Sequence, residues 1–330
     1  MLNAMSTQYL DKYCANVMQA TGVARLDTLF NISPPVETRL REAMLHSVAF
    51  LSLISVMPVD QLKGQVVDVG GGALFTGRKK EGRFRKALGV EGNTYELVET
   101  DSCASIPWSL LSQWANAGKA GEFTKLMNAA IARHFALDML RVGFHGTSVA
   151  ETTNPTTNPM GQDVNKGWLT IVKEKAAGQV LASATLDPTG TVVGSHKNLD
   201  AMVNDLRNAV IAEEHVDDPD LVVLIGRDLV ASEQSRLMGE ADKPTEHNAA
   251  QMLSKSVGGM RVYIPPFFPA DQIWITSLSN LQVLQQTGTQ WRKARNEEDR
   301  KAFENSWLRN EGYAIGNFQK FAAIDAVAIA

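Results

Sequence analysis

The chain has 330 residues, of which 44% are hydrophobic and 21% charged, and a formal net charge of −4. That length supports two or three modest domains with cores of their own, and the composition is that of an ordinary globular protein. The acidic balance excludes a nucleic-acid binder held by overall basic charge, and no apolar run approaches the roughly 18 residues that a membrane span needs.

The first fourteen residues have neither the charged start nor the continuous apolar block of a signal peptide. The chain is therefore expected to be made and used in the cytoplasm, or in something assembled there. Cys14 and Cys103, the two cysteines, lie far apart without metal-ligand spacing and read as reduced thiols.

Within residues 1–30, Tyr9, Leu10, Tyr13, Val17 and Met18 recur near helical spacing and predict a helix. Ser33-Pro34-Pro35 is expected to break it, because proline also restricts the residue before it. A second helix is predicted from Glu37, with Leu40, Met44, Leu45, Val48 and Leu51 on one face, ending before Pro58.

From Val59 to Pro107 short apolar runs alternate with glycines and charges. Residues 64–92 contain eight glycines, and Arg78, Lys79, Lys80, Arg83, Arg85 and Lys86 are relieved only by Glu81. Such a stretch cannot bury a core, and it reads as a long two-stranded excursion with a mobile tip. A lone hairpin is marginal in water, so it needs a partner surface. The cations are either a solvated loop or an electrostatic dock onto an acidic surface of a neighbouring subunit. Nucleic acid is the weaker reading, since Phe84 alone gives no stacking platform.

Ser109 to Val142 is free of proline and predicts one very long helix, about 50 Å if continuous. Trp114, Phe123, Met127, Ile131, Phe135 and Met139 form its stripe. Ser109 is the expected N-cap and Gly143 the expected C-cap, while Gly118 and Gly121 allow a kink or a late start. A turn-rich loop over Thr152–Pro159 precedes a helix predicted from Asp163 to Lys175, with Trp168, Leu169 and Val172 inward. Further helices are predicted at Leu199–Glu214, Arg227–Met238 and Thr245–Lys255. Strands are predicted at Leu221–Gly226, Arg261–Ile264 and Gln272–Leu278. Residues 196–278 thus read as a mixed domain with its own sheet. Residues 279–330 read as strands and turns around a charged insert, Arg292–Lys301, and end on an apolar strand.

Val66-Val67-Asp68-Val69-Gly70-Gly71-Gly72 is the one stretch that suggests a cofactor. A strand running into a glycine turn is how nucleotide-type cofactors are cradled, and it resembles the first motif of methyltransferases that use S-adenosylmethionine. It departs from that motif at Leu74 and in lacking a following helix. The six histidines form no ligand pair, and His134 with Asp138 reads as a surface pair on the long helix. Glu213, Glu214, Asp217, Asp218 and Asp220 read as a solvated turn ahead of a strand.

Several segments together resemble the major capsid proteins of P2-like tailed bacteriophages. They are Gly143-Phe144-His145-Gly146, Ala150-Glu151-Thr152, the run from Asn158 to Leu169, the run from Asp218 to Arg227, Phe268-Pro269-Ala270-Asp271, and the run from Ile275 to Leu281. Their order and spacing fit from about residue 30 to about residue 320.

The resemblance implies an α+β, Hong Kong 97-type capsid fold. It divides the chain into an N-terminal arm (1–58), an extended loop (59–106), a peripheral domain on a long spine helix (107–195), an axial domain (196–278) and return strands (279–330). It further implies homo-hexamers and homo-pentamers in an icosahedral head around double-stranded DNA. An internal scaffold that is also a protease, a portal, and removal of an N-terminal peptide near Phe30-Asn31 belong to the same expectation. No enzyme activity, cofactor, metal or membrane contact is expected, and the location is the virion capsid, assembled in the bacterial host cytoplasm. The competing readings are the methyltransferase-like enzyme and another shell-forming machine such as a protein compartment.

Overall fold

The computed structural model describes residue 2 and residues 4–66, 76–80, 83, 93–117, 120–240 and 255–330. The arm folds as its spacing predicts: α1 (Ala4–Thr21) buries Leu10 and Tyr13. Gly22, at φ +72°, ends it by donating its N–H to Met18 O at 2.8 Å. After the short strand β1 (Phe30–Asn31), the two prolines open a helix instead of only breaking one. α2 (Pro34–Ser47) carries them at its first positions, where a missing N–H costs nothing because it would have no helical partner. The start predicted at Glu37 is therefore late.

β2 (Ser55–Val59) precedes β3 (Lys63–Val66) and β4 (Asn93–Glu96), which pair antiparallel as the base of the expected excursion. β5 (Val98–Pro107), assigned to the same excursion by the sequence, belongs to the main sheet instead. The predicted long helix is two, α3 (Trp108–Ala117) and α4 (Ala120–His145), with 118 and 119 outside the described residues. Phe123, Met127, Ile131, Phe135 and Met139 are buried as the stripe requires. Gly143 is not a C-cap, because α4 continues past it to His145. A Cβ there would lie 2.5 Å from the Trp168 ring, so the glycine serves close packing.

α5 (Trp168–Lys175) starts later than the predicted Asp163, behind Gly167, and buries Trp168, Leu169, Ile171 and Val172. After β6 (Val180–Leu181) and β7 (Ala184–Leu186), α6 (Leu199–Val210) begins where Asn198 accepts the N–H of Ala201. β8 (Leu221–Ile225) is buried at all five positions and leads into α7 (Arg227–Glu240). Most of the helix predicted over Thr245–Lys255 lies outside the described residues. The chain then forms β9 (Ser256–Val257), β10 (Met260–Tyr263), β11 (Ile273–Ser277), β12 (Leu281–Gln286), β13 (Trp291–Glu297), β14 (Ala302–Ile315), β15 (Ala322–Ile324) and β16 (Val327–Ile329). The charged insert is β13 and the turn into β14, within the strands and turns expected there. Arg295 there pairs with Glu297 at 2.5 Å.

Two six-stranded sheets organise the molecule. The first runs β1-β13-β14-β12-β2, with β5 on the other flank of β14; the second runs β6-β15-β11-β8-β10-β9. Side chains alternate across each strand, so each sheet has two faces. On the second sheet Val223, Ile225, Ile273, Ile275 and Ile324 join one core with residues of α6 and α7. Its other face, with Val222, Leu224, Trp274 and Ala323, joins a larger core shared with α1 to α5 and the first sheet. Trp274 is the hub of that junction, with ring centroids 5.0 Å from Phe268, 5.5 Å from Phe144 and 5.6 Å from Phe321.

One face of the first sheet packs on the helices; the other is covered at one end only, where Leu97 joins Leu284 and Ala314 in a small third core. From β14, Phe303 meets Tyr13, Trp307 stacks on Phe135 at 5.8 Å, and Tyr313 reaches Met139 O. Along β5 the residues of the opposite face, Glu99, Asp101, Cys103 and Ser105, are exposed.

Candidate assembly interface

The arm is tied down by a polar contact inside an apolar seat. Tyr13 is fully buried, its hydroxyl 3.2 Å from Asn128 Oδ1 and 3.4 Å from Asn305 Nδ2. Burial raises its pKa above the ordinary tyrosine value, and the half-buried Arg292 opposes that shift. The neighbouring Cys14 thiol is pushed up to about 11, first by burial and then by Asp11. At pH 8 only about one molecule in a thousand then carries the reactive thiolate. Ellman titration of the native protein is expected to show one fast thiol, the exposed Cys103, with Cys14 reacting only on unfolding. Two fast thiols in the native state would contradict the seating of α1.

Phe30 and Asn31 lie in β1, at the edge of the first sheet, where Phe30 sits opposite Arg292 and Asn31 opposite Trp291. Phe30 is buried, while Asn31 is exposed and donates through Nδ2 to Gly288 O at 3.0 Å. The bond between them is extended but paired along one side.

The base of the extended loop is fixed to the body from two directions. Lys175 Nζ reaches Asn93 Oδ1 at 2.9 Å and Thr94 O, and Asn93 Nδ2 donates to Ile315 O at 2.6 Å. Burial lowers the pKa of Lys175, which these acceptors nonetheless hold in place. Gly64 is required under the Tyr95 ring, where a Cβ would lie 2.6 Å from the hydroxyl oxygen. At the tip Arg78, Lys79, Lys80 and Arg83 are exposed. Arg85 and Lys86 lie outside the described residues, as do Val67 to Gly72 of the cofactor-like stretch. Val66 closes an antiparallel two-stranded ribbon. A cofactor turn of that kind needs a parallel strand feeding a helix.

The acidic turn is knitted rather than free. Lys320 Nζ lies 2.7 Å from Asp218 and 2.8 Å from Asp220, and His215 Nδ1 lies 3.0 Å from Asp218. The bonds from Lys320 and His215 hold the Asp218 pKa below its ordinary value. Asp138 pairs with Arg141 at 2.8 Å rather than with His134, which is exposed. Among the described residues no group of three or more acids, histidines or cysteines is placed to hold a metal, and no helix is long and apolar enough to cross a membrane.

Sequence reasoning missed a buried ion pair beneath α4. Arg309 Nε donates to Glu311 Oε2 at 2.7 Å and Nη1 to Ser102 Oγ at 2.8 Å, and the guanidinium lies 3.9 Å from the Trp307 ring centre. Both side chains are almost wholly buried. The Tyr313 hydroxyl lies 2.9 Å from Met139 O and 3.3 Å from Glu311, and its pKa is raised well above the ordinary value by burial and then by the Glu311 charge. The available signal was the alternation of Trp307, Arg309, Glu311 and Tyr313, which places four bulky or charged groups on one strand face.

This arrangement has known counterparts. The family described as phage major capsid protein, P2 family, matches residues 9–327. The major capsid protein of Serratia phage KSP20 is 28% identical over 342 aligned positions, covering 99% of this chain and 97% of that protein. The capsid proteins of Escherichia phage P2 are 28% identical over 334 positions, covering 96% and 93%. Among solved structures, a chain of the satellite phage P4 procapsid, which includes the size determination protein, superposes with a TM-score of 0.75. Its identity is 23%, with 97% of this chain and 98% of that chain covered. A chain from the capsid of a native GTA particle gives a TM-score of 0.52 at 14% identity, with 86% and 90% covered. These likenesses establish the Hong Kong 97-type capsid fold. With a tethered arm, a projecting ribbon and a family match across nearly the whole length, the chain belongs to the P2 family of phage major capsid proteins.

Proposed function

We propose that this structural subunit assembles with copies of itself into homo-hexamers and homo-pentamers of an icosahedral head around double-stranded DNA. The observation that carries the reading is the extended ribbon, whose base is pinned to the body while its basic tip is solvent-exposed. Residues 1–58 serve as the arm, the ribbon as the intersubunit loop, 107–195 with the first sheet as the peripheral domain, and 196–278 as the axial domain. An internal scaffold and protease, a portal and assembly in the host cytoplasm complete the proposed setting. The net charge of −4 suits DNA that is enclosed without being gripped.

The Arg83→Glu, Arg85→Glu, Lys86→Glu triple variant is expected to leave a folded monomer and to abolish shells in negative-stain electron microscopy of protein co-expressed with its scaffold. Normal shells from this variant would remove the docking role of the loop. Cleavage after Phe30 is the second expectation. Mass spectrometry of mature, DNA-filled particles should find the chain shortened by about thirty residues from its first methionine, and intact chains there would rule the cut out. Because α1 is seated independently of the cut bond, the freed peptide should be recovered in particles before it is lost from them.

A further inference from the structure

We infer that the turn over residues 264–271 is a strained clasp, closed by the last turn of α4, whose release loosens the second sheet from that helix. Phe267 carries the strain. Its φ is +62°, and among the described residues Lys301 is the one other non-glycine with a positive φ. Lys301 sits in the turn joining β13 to β14, where left-handed backbone is ordinary. The turn at Phe267 is of another kind. Phe268 N donates to Pro265 O at 3.3 Å, so Pro266 and Phe267 are its two central residues. A proline followed by a positive φ is the type II pattern, which takes glycine or asparagine at the second of these places. An aromatic residue there is strained by its own Cβ.

Such a backbone persists only where its surroundings hold it. Here two residues of α4 do so. Arg141 and His145 lie four apart, on one face of the helix. His145 Nε2 donates to Phe267 O at 2.7 Å, and the Arg141 guanidinium lies 4.3 Å from the centre of the Phe267 ring. Asp138, 2.8 Å from Arg141, steadies that guanidinium. The far half of the clasp belongs to the second sheet. Gly226 N, just past β8, donates to Gln272 O at 2.9 Å, and Val327 N to Asp271 O at 2.8 Å. The approach is so close that a Cβ on Gly226 would lie 2.0 Å from Ala270 O. Pro265, Pro266 and Pro269 each lock a φ angle, so the segment moves as one piece. Between the two holds, Phe268 is buried, its ring centroid 5.3 Å from that of Phe144 on α4 and 5.0 Å from that of Trp274 on β11. When Phe267 relaxes to a negative φ, its carbonyl turns away from His145 and Phe268 is drawn out of that junction. The clasp is a property of the single chain and does not depend on the assembly proposed above.

Hydrogen–deuterium exchange of the full chain tests this at the Gly226 and Val327 amides, both in buried residues that the clasp holds. Phe267→Ala keeps the strained backbone and removes the ring. It is expected to speed exchange at both amides about tenfold, the order by which left-handed backbone disfavours a residue with a Cβ. Phe267→Gly removes the strain together with the ring and is expected to exchange no faster than wild type. That order is inverted from the usual one, in which glycine is the looser of the two because it has more freedom to lose. His145→Ala is expected to speed exchange about tenfold as well, since the strain is then unopposed. Adding Phe267→Gly to it should restore the wild-type rate, which a hydrogen bond lost from an unstrained turn would not allow. Exchange in Phe267→Gly as fast as in Phe267→Ala, or a His145→Ala effect that glycine fails to repair, would overturn the clasp. So would Gly226 and Val327 amides that open only with the whole fold, at the rate of Val223 and Leu224 in β8, because nothing would then be released locally. Should His145→Ala not fold, the order of the two Phe267 variants decides alone.

Discussion

Trp274→Ala is expected to cost about 4 kcal/mol of unfolding free energy, since truncating a buried aromatic removes its transfer energy and leaves a cavity. Trp274 is fully buried, touches Phe144, Phe268 and Phe321, and donates through Nε1 to Gln272 Oε1 at 3.0 Å. Two features make the site unable to collapse. It lies on the face of the second sheet that joins the larger core, and its ring neighbours come from α4, from β15's approach and from the 265–272 turn. A loss of that size is a large share of the 5–15 kcal/mol that typically holds a fold. The check is the urea midpoint followed by circular dichroism. A loss under about 1 kcal/mol would mean that the two cores are not joined through this ring.

Arg309→Met is the second large effect, expected at about 3–5 kcal/mol because it strands the buried Glu311 carboxylate without its cation. The double variant Arg309→Met, Glu311→Leu should recover most of that loss, since replacing both ions with apolar groups of similar size is often neutral. The ranking is therefore wild type close to the double variant, with the single variant well below both. If the double variant were no better than the single, the damage would come from the lost Ser102 bond and Trp307 stacking rather than from an orphaned charge.

The sequence was most legible where one periodicity ran without interruption. The stripe on α4, the apolar face of α6 and the five-residue strand β8 were found because burial repeats at the helical or strand interval. The family was legible too, because glycine, proline and aromatic residues stand at fixed spacing between Gly143 and Leu169. Punctuating residues were harder to interpret. Pro34 and Pro35 open α2, although the same dipeptide elsewhere ends a helix, and only the chain before it decides which. Gly143 sits at a helix end in sequence and inside α4 in space, because the reason for it is the Trp168 ring.

The candidate interface was half legible. The cations announce themselves, whereas the buried contacts of the first sheet depend on three strands brought together from residues 98–107, 291–297 and 302–315. No local pattern records that register. β5 was misassigned for the same reason, since its alternation matches a free ribbon as well as an edge strand. Polarity on its exposed face hid the partner on its flank.

The pairing of β14 has a mechanical consequence. This strand is bonded along one flank to β5 from Ala302 to Glu311, and along the other to β13 and then β12 from Ala302 to Ile315. A pull along the strand axis therefore loads many hydrogen bonds at once, in shear, and they fail together or not at all. A pull across the edge would peel them one by one. Tension running in the plane of a closed shell and along β14 would meet the stronger of these two directions, so the strand would act as a strap that stiffens the subunit as internal pressure rises.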